Sequence, residues 1–175
     1  LNNFAYLRRT QGDSREAELL FLVSLEIIPL LNDADRTVVA TTRSTLASTI
    51  ADQGRFNEAL ETAALAVDEY RQRGETDTPS YGFALNVFGG FLTESGKLDE
   101  ADATLIEAGT IFSKYLSPTN LWIGDNLRNQ AISLELQGKY DLSIEKADAA
   151  ARMYLENFGK HYDNYPTVLI AKGLS

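Results

Sequence analysis

Glycines stand at positions 12, 54, 96 and 138, a constant step of 42 residues. A fixed period means one structural unit made several times, and it constrains the fold more than any other feature of the chain. The residues around each glycine keep a common register. Seven before come Ala5, Ala47, Gly89 and Ala131; five after come Ala17, Ala59, Ala101 and Ser143; twelve after come Ser24, Ala66, Ala108 and Ala150. Every member of these three columns is small. Larger apolar residues fill other columns: Phe4, Leu46 and Phe88; Ile50, Leu92 and Leu134; Phe56, Leu98 and Tyr140; Ile28, Tyr70, Phe112 and Tyr154.

Two helices approach to about 8 Å only where their side chains are small. The seven-before column therefore belongs to the first helix of a pair, and the five-after column to the second helix facing it. The twelve-after column seats that second helix against the next repeat. Glycine ends the first helix, where a positive φ is favoured, and Phe56 and Tyr140 are expected to pack the corners. Thr78-Pro79 and Ser117-Pro118 read as an N-cap followed by proline at the first helical position, with Asp33 or Asp35 as the earlier equivalent. The spacing predicts helices near 1–11, 14–31, 36–53, 56–73, 79–95, 98–115, 119–137 and 140–157, with a ninth from Pro166. No segment alternates with the period of a strand. The expected class is all-α, a solenoid of helix pairs in one array: repeats near 1–35, 36–77, 78–117 and 118–160, and the start of a fifth at 161–175. Leu1 opens inside an amphipathic pattern and the run PTVLIAKGLS closes on one, so the chain reads as part of a longer protein.

These residues carry a resemblance. LNNFA at 1–5, QGRFNEA at 53–59, GKLDEA at 96–101 and QGKY at 137–140 resemble the tetratricopeptide repeat (TPR) in its longer, kinesin-light-chain-like form. Gly89, Leu142 and Ser143 depart from that pattern, and the linkers lack its D-H-P element. The resemblance implies a right-handed superhelix whose first helices line a concave groove. It also implies a scaffold or adaptor that binds a peptide or partner protein there, and no enzyme activity. Carried onto this sequence, the groove positions are Asn2, Asn3, Tyr6 and Arg9; Ser44 and Ser48; Phe83 and Asn86; and Asp125, Arg128 and Asn129. Asparagine amides can both donate to and accept from a peptide backbone, and Arg9 and Arg128 can each grip a carboxylate. The same positions also read as a solvated helix face. Two further roles stay open: a regulatory or docking arm of a multidomain signalling enzyme, such as a bacterial Ser/Thr kinase, and self-assembly through repeat ends.

Composition narrows the partners. The net charge is −9, which repels phosphate backbones and disfavours nucleic acid. No run of apolar residues is long enough to enter a membrane. The chain has no cysteine, which removes disulfides, thiol catalysis and Cys-ligated metal and suits a reducing, cytoplasmic setting. His161 is the sole histidine, so no multi-histidine metal centre is encoded. The acidic groups Asp33/Asp35, Glu75/Asp77 and Asp99/Glu100/Asp102 lack calcium-loop spacing and read as caps and first turns. The glycines of GFALNVFGGF lie inside a helical pattern and form no phosphate loop. No cofactor is expected. Trp122 and the cluster Tyr154, Phe158, Tyr162 and Tyr165 read as helix packing.

Overall fold

The computed structural model describes residues 1–30 and 36–158. They form eight α-helices and no strand among the described residues: α1 (Asn2–Thr10), α2 (Ser14–Ile27), α3 (Arg36–Ala51), α4 (Phe56–Arg73), α5 (Pro79–Glu94), α6 (Leu98–Tyr115), α7 (Leu121–Leu136) and α8 (Tyr140–Phe158). Two compact units result, Leu1–Thr76 and Asp77 onward. In the first unit, α1 packs on α2, α2 on α3 and α3 on α4. In the second, α5 packs on α6, α6 on α7 and α7 on α8, while α5 also touches α7.

Each corner glycine does what its column predicts. Gly12, Gly54, Gly96 and Gly138 have φ of 84°, 79°, 76° and 75°. Their N–H groups bond the carbonyls of Arg9, Ala51, Thr93 and Glu135, three residues back. The next residues, Asp13, Arg55, Lys97 and Lys139, bond the carbonyls five back, which closes the first helix in a Schellman turn. The three small columns are buried throughout. Gly89 is small for a reason of contact, since a Cβ there would lie 2.7 Å from the side chain of Leu105 on α6. Ser143 replaces alanine without loss, because its hydroxyl donates to the carbonyl of Ala131 at 2.8 Å.

A fourth small column was not read from the sequence. Ala40, Gly82 and Gly124 stand fourteen before the corner glycines and are all buried. The two glycines face the aromatic column: a Cβ on Gly82 would lie 2.8 Å from Phe112, and one on Gly124 2.7 Å from Tyr154. Trp122 is packing, as expected, with its ring 5.0 Å from Phe83 and 5.9 Å from Phe112.

Several local expectations need correction. The α-helix over 14–31 stops at Ile27 and continues as a 3-10 turn over Ile28–Leu30, because Pro29 lacks the N–H that an α-helix needs there. Thr78 caps α5 as predicted, accepting from the N–H of Tyr81 at 3.2 Å. Ser117 does not cap α7. Residues 117–120 make a turn closed by Asn120 N–H on the Ser117 carbonyl, and the Asn120 side chain caps the helix by accepting from Trp122 N–H at 2.9 Å. Phe56 and Tyr140 do not pack their corners. They are 54% and 65% exposed, since each is the first residue of its helix and no preceding turn covers it. Phe4 is exposed as well, while its counterpart Leu46 is buried: α3 packs against both α2 and α4, whereas the main packing of α1 is on α2. The Asp33/Asp35 caps, His161, Tyr162, Tyr165, the ninth helix and the fifth repeat lie outside the described residues.

Candidate functional site

In the first unit, the groove positions fall on α1 and α3. Asn3 and Tyr6 are exposed. The Asn2 amide donates to Thr42 Oγ1 at 2.7 Å, tying α1 to α3. Arg9 is engaged with Asp52 through Nε at 2.6 Å and a terminal nitrogen at 3.3 Å. Ser44 is sealed, with no exposed surface, and its hydroxyl returns to the Ala40 carbonyl at 3.0 Å. Ser48 is half-buried and bonds the Ser44 carbonyl at 3.4 Å. Thr45 and Thr49 likewise bond carbonyls four residues back. The hydroxyls of Ser44, Thr45, Ser48 and Thr49 therefore serve the backbone of α3 itself, while those of Thr41 and Thr42 bond Tyr70 and Asn2.

The second unit gathers its candidates into one network. Asn86 on α5 is 6% exposed, and its Oδ1 accepts from the amides of Asn126 at 3.1 Å and Asn129 at 3.3 Å on α7. Arg128 donates to Asn129 Oδ1 at 3.2 Å and stands 3.7 Å from Asp125. Asp125 also accepts from the Tyr154 hydroxyl at 2.7 Å. Phe83 leans on Trp122 at the same side of α5. Gly90 leaves room for the Asn129 amide, which a Cβ there would meet at 3.5 Å. So Asn86, Asp125, Arg128 and Asn129 are brought together.

Two groove assignments change. Ser44 and Asn86 are buried and do not line an open face. The reason is helical phase: Ala40, Ser44 and Ala47 lie on one stripe of α3, and Gly82, Asn86 and Gly89 on the matching stripe of α5, spaced i, i+4, i+7. That stripe carries two of the small columns and is close-packed. The asparagine columns also have a structural explanation. Asn2 pairs with Thr42 and Asn86 with Asn126, each across 40 residues, so they stitch one first helix to the next.

Two more polar groups were missed. Asn126 and Gln130 are buried amides on α7, and Gln130 hydrogen-bonds Asn126 at 2.7 Å. The signal was present: the large apolar column Phe4, Leu46, Phe88 continues as Gln130.

The corners are also where charge is concentrated. Gln53 and Arg55 flank Gly54, and both reach back to Glu18 on α2: Gln53 at 2.6 Å, Arg55 at 2.8 and 2.7 Å. Burial pushes the Glu18 carboxyl up, but the bonds from Arg55 and Gln53 and the charge of Arg55 more than offset it, leaving it below its ordinary value. Asp102 on α6 occupies the same place in the second unit. It accepts from Gln137 at 2.8 Å and Ser133 at 2.7 Å, with Lys139 at 3.7 Å. Among the described residues no cluster of acidic or histidine side chains could hold a metal ion, and no helix is long and apolar enough to cross a membrane.

Similarity to solved structures decides the fold. The crystal structure of BtubC (BKLC) from P. vanneervenii superposes with a TM-score of 0.75 at 20% identity, covering 97% of this chain and 70% of that one. The fold is TPR-like. A kinesin light chain-type protein of Podosopora anserina, built from nearly identical TPR-like repeats, matches with a TM-score of 0.70 at 16% identity, over 97% of this chain and 79% of that one. A variant of the same protein gives 0.71 at 15%, over 98% and 84%. No family model matches the sequence. No curated protein matches it either. The fold is thus shared with structures whose sequences are only 15–20% identical to this one.

Proposed function

We propose that this chain is a protein-interaction module that holds an extended peptide, or a helix of a partner protein, against its first helices. It works as a scaffold or adaptor and carries no catalysis of its own. The observation that carries this reading is the network of the second unit. Asp125, Arg128 and Asn129 are half-buried on α7, fixed from behind by Asn86 and Tyr154, and flanked by the Phe83 ring. Polar groups held in place before binding lose little freedom on binding, which favours recognition of a backbone. Asn3, Tyr6 and Ser48 offer the corresponding contacts in the first unit, with Asn2, Arg9, Ser44 and Asn86 as supports. A TPR-like fold suits the reading, because a solenoid packs each repeat only on its neighbours and leaves a face free. The repeats are taken to serve as one array in a reducing, cytoplasmic setting.

The test is a selection of random displayed peptides on the 175-residue chain, followed by affinity measurement of the winners. Arg128→Ala combined with Asn129→Ala is expected to weaken them at least about tenfold, with the circular dichroism spectrum unchanged. Peptides that bind the double variant as tightly as the parent would remove the first-helix face as the site.

A further inference from the structure

The outward side of α2 carries a stripe found on no other second helix. Arg15, Leu19, Leu22 and Glu26 follow one another by four, three and four residues, so they share one face of the helix. All four are exposed, Leu19 by 64% and Leu22 by 44%. Val23, exposed as well, widens the apolar part. The side of α2 that carries Ala17, Phe21 and Ser24 is the one buried in the fold.

The repeat does not require either leucine. In their places α4 has Glu61 and Ala64, and α8 has Glu145 and Asp148. Nor does a neighbouring repeat cover this face. Second helices pack on first helices, α4 on α3 and α8 on α7, whereas α2 with α4 and α6 with α8 form no packed pair. The joint from α2 to α3 runs instead through Glu18, which Gln53 and Arg55 hold. The two charges of the stripe are also uncommitted. Arg15 and Glu26 form no ion pair with a described residue. They stand at opposite ends of the leucine pair. Turned end over end, the stripe is therefore complementary to itself, with arginine opposite glutamate and leucine opposite leucine.

We infer that α2 is the seam of a symmetric dimer, in which two copies of this chain pair antiparallel through this face. The two-fold axis passes between Leu19 and Leu22. Leu19 packs on Leu22 of the second copy, and Arg15 meets Glu26 of the second copy. Each contact occurs twice, as a two-fold axis requires. The spacing of four, three and four is that of a helix-to-helix seam. Self-complementarity is what selects a second copy over an unrelated helix. One helix face is a small interface, below about 1,200 Å² in total, so the dimer is weak and depends on concentration. Because α2 is a second helix, the pairing leaves the first-helix positions open and does not rest on the peptide-binding reading.

Sedimentation equilibrium of the 175-residue chain is expected to show monomer and dimer exchanging with a Kd of roughly 10–100 µM. Arg15→Glu alone and Glu26→Arg alone each set like charges opposite one another. Each is expected to weaken the dimer at least about tenfold. Mixed together, the two variants recover both opposite-charge contacts in a heterodimer, so affinity near that of the parent should return. The double variant Arg15→Glu with Glu26→Arg should likewise pair with itself. All of these positions are exposed, and circular dichroism is expected to stay unchanged. A parent chain that remains monomeric at about 1 mM would overturn the pairing. So would a loss that the mixture does not recover. A dimer that neither reversal weakens would place the contact on another face, such as the exposed Phe4 of α1, and would overturn it too.

Discussion

Gly89 and Gly90 are neighbours with opposite roles. Read from sequence, the pair is a single weak spot in a helix, because glycine there costs about 1 kcal/mol per residue relative to alanine. The structure separates them. A methyl at 89 would collide with Leu105 Cγ and Cδ2 at 2.7 Å, and Leu105 is fully buried with nowhere to move. A methyl at 90 would meet only the Asn129 amide, at an ordinary 3.5 Å. Gly89→Ala is therefore expected to destabilise by about 1–3 kcal/mol, and Gly90→Ala to be neutral or to stabilise by up to about 1 kcal/mol. Urea melts of the two variants check this, and two shifts of the same sign would contradict it. The small columns at seven before, five after and twelve after the corner glycines were legible because four copies agree. The column Ala40, Gly82, Gly124 was just as regular but has only three members, so it passed unread.

At the scale of the helix, boundaries were legible wherever backbone chemistry dictates them. Glycine with positive φ placed helix ends correctly, and the Thr78-Pro79 pair placed a helix start. Ser117-Pro118 failed because Asn120, two residues on, offers the better acceptor to a free N–H, and proline is equally at home inside a turn. The corner clamps were not read at all. Glu18 lies six residues after Gly12, and Asp102 six after Gly96, but Leu60 holds that place after Gly54. A search for columns that hold at every repeat passes over one that holds at every second. Glu18 offers a test with a defined sign. Its carboxyl is held below the ordinary 4.5 in the folded state. The stabilisation from its ionised contacts is complete above 4.5 and is lost as the pH falls through the folded value. Glu18→Gln is thus expected to melt earlier than the parent at neutral pH, with the gap closing in acid. A gap that stays constant with pH would show that Arg55 and Gln53 do not depend on the charge of Glu18.

For the molecule as a whole, the fold was largely legible and the site only in part. Columns identify which residues recur. They do not say whether a recurring asparagine meets solvent, a ligand or the next helix. Asn86 illustrates the difference. Its phase with Gly82 and Gly89 places it on the packed stripe, and its recurrence reflects bonds from Asn126 and Asn129. Removing it should act on stability: Asn86→Ala is expected to cost about 1–3 kcal/mol by stranding those two amides. Asn3→Ala, on an exposed position of α1, should stay within about 0.5 kcal/mol. Thermal melts of the two variants distinguish support from surface, and similar melting points would place Asn86 on the surface instead.

The alternating clamp also says something about heredity and about construction. The phrases QGRF and QGKY lie 84 residues apart, each with an acidic partner in the repeat before it, whereas the corner between them reads SGKL. The length over which clamped and unclamped corners repeat is two helix pairs, not one. Anyone extending this protein by copying can keep a clamp whole in a 42-residue tile, since Glu18 precedes Gln53 and Asp102 precedes Gln137 by less than one repeat, but only an 84-residue copy preserves the alternation.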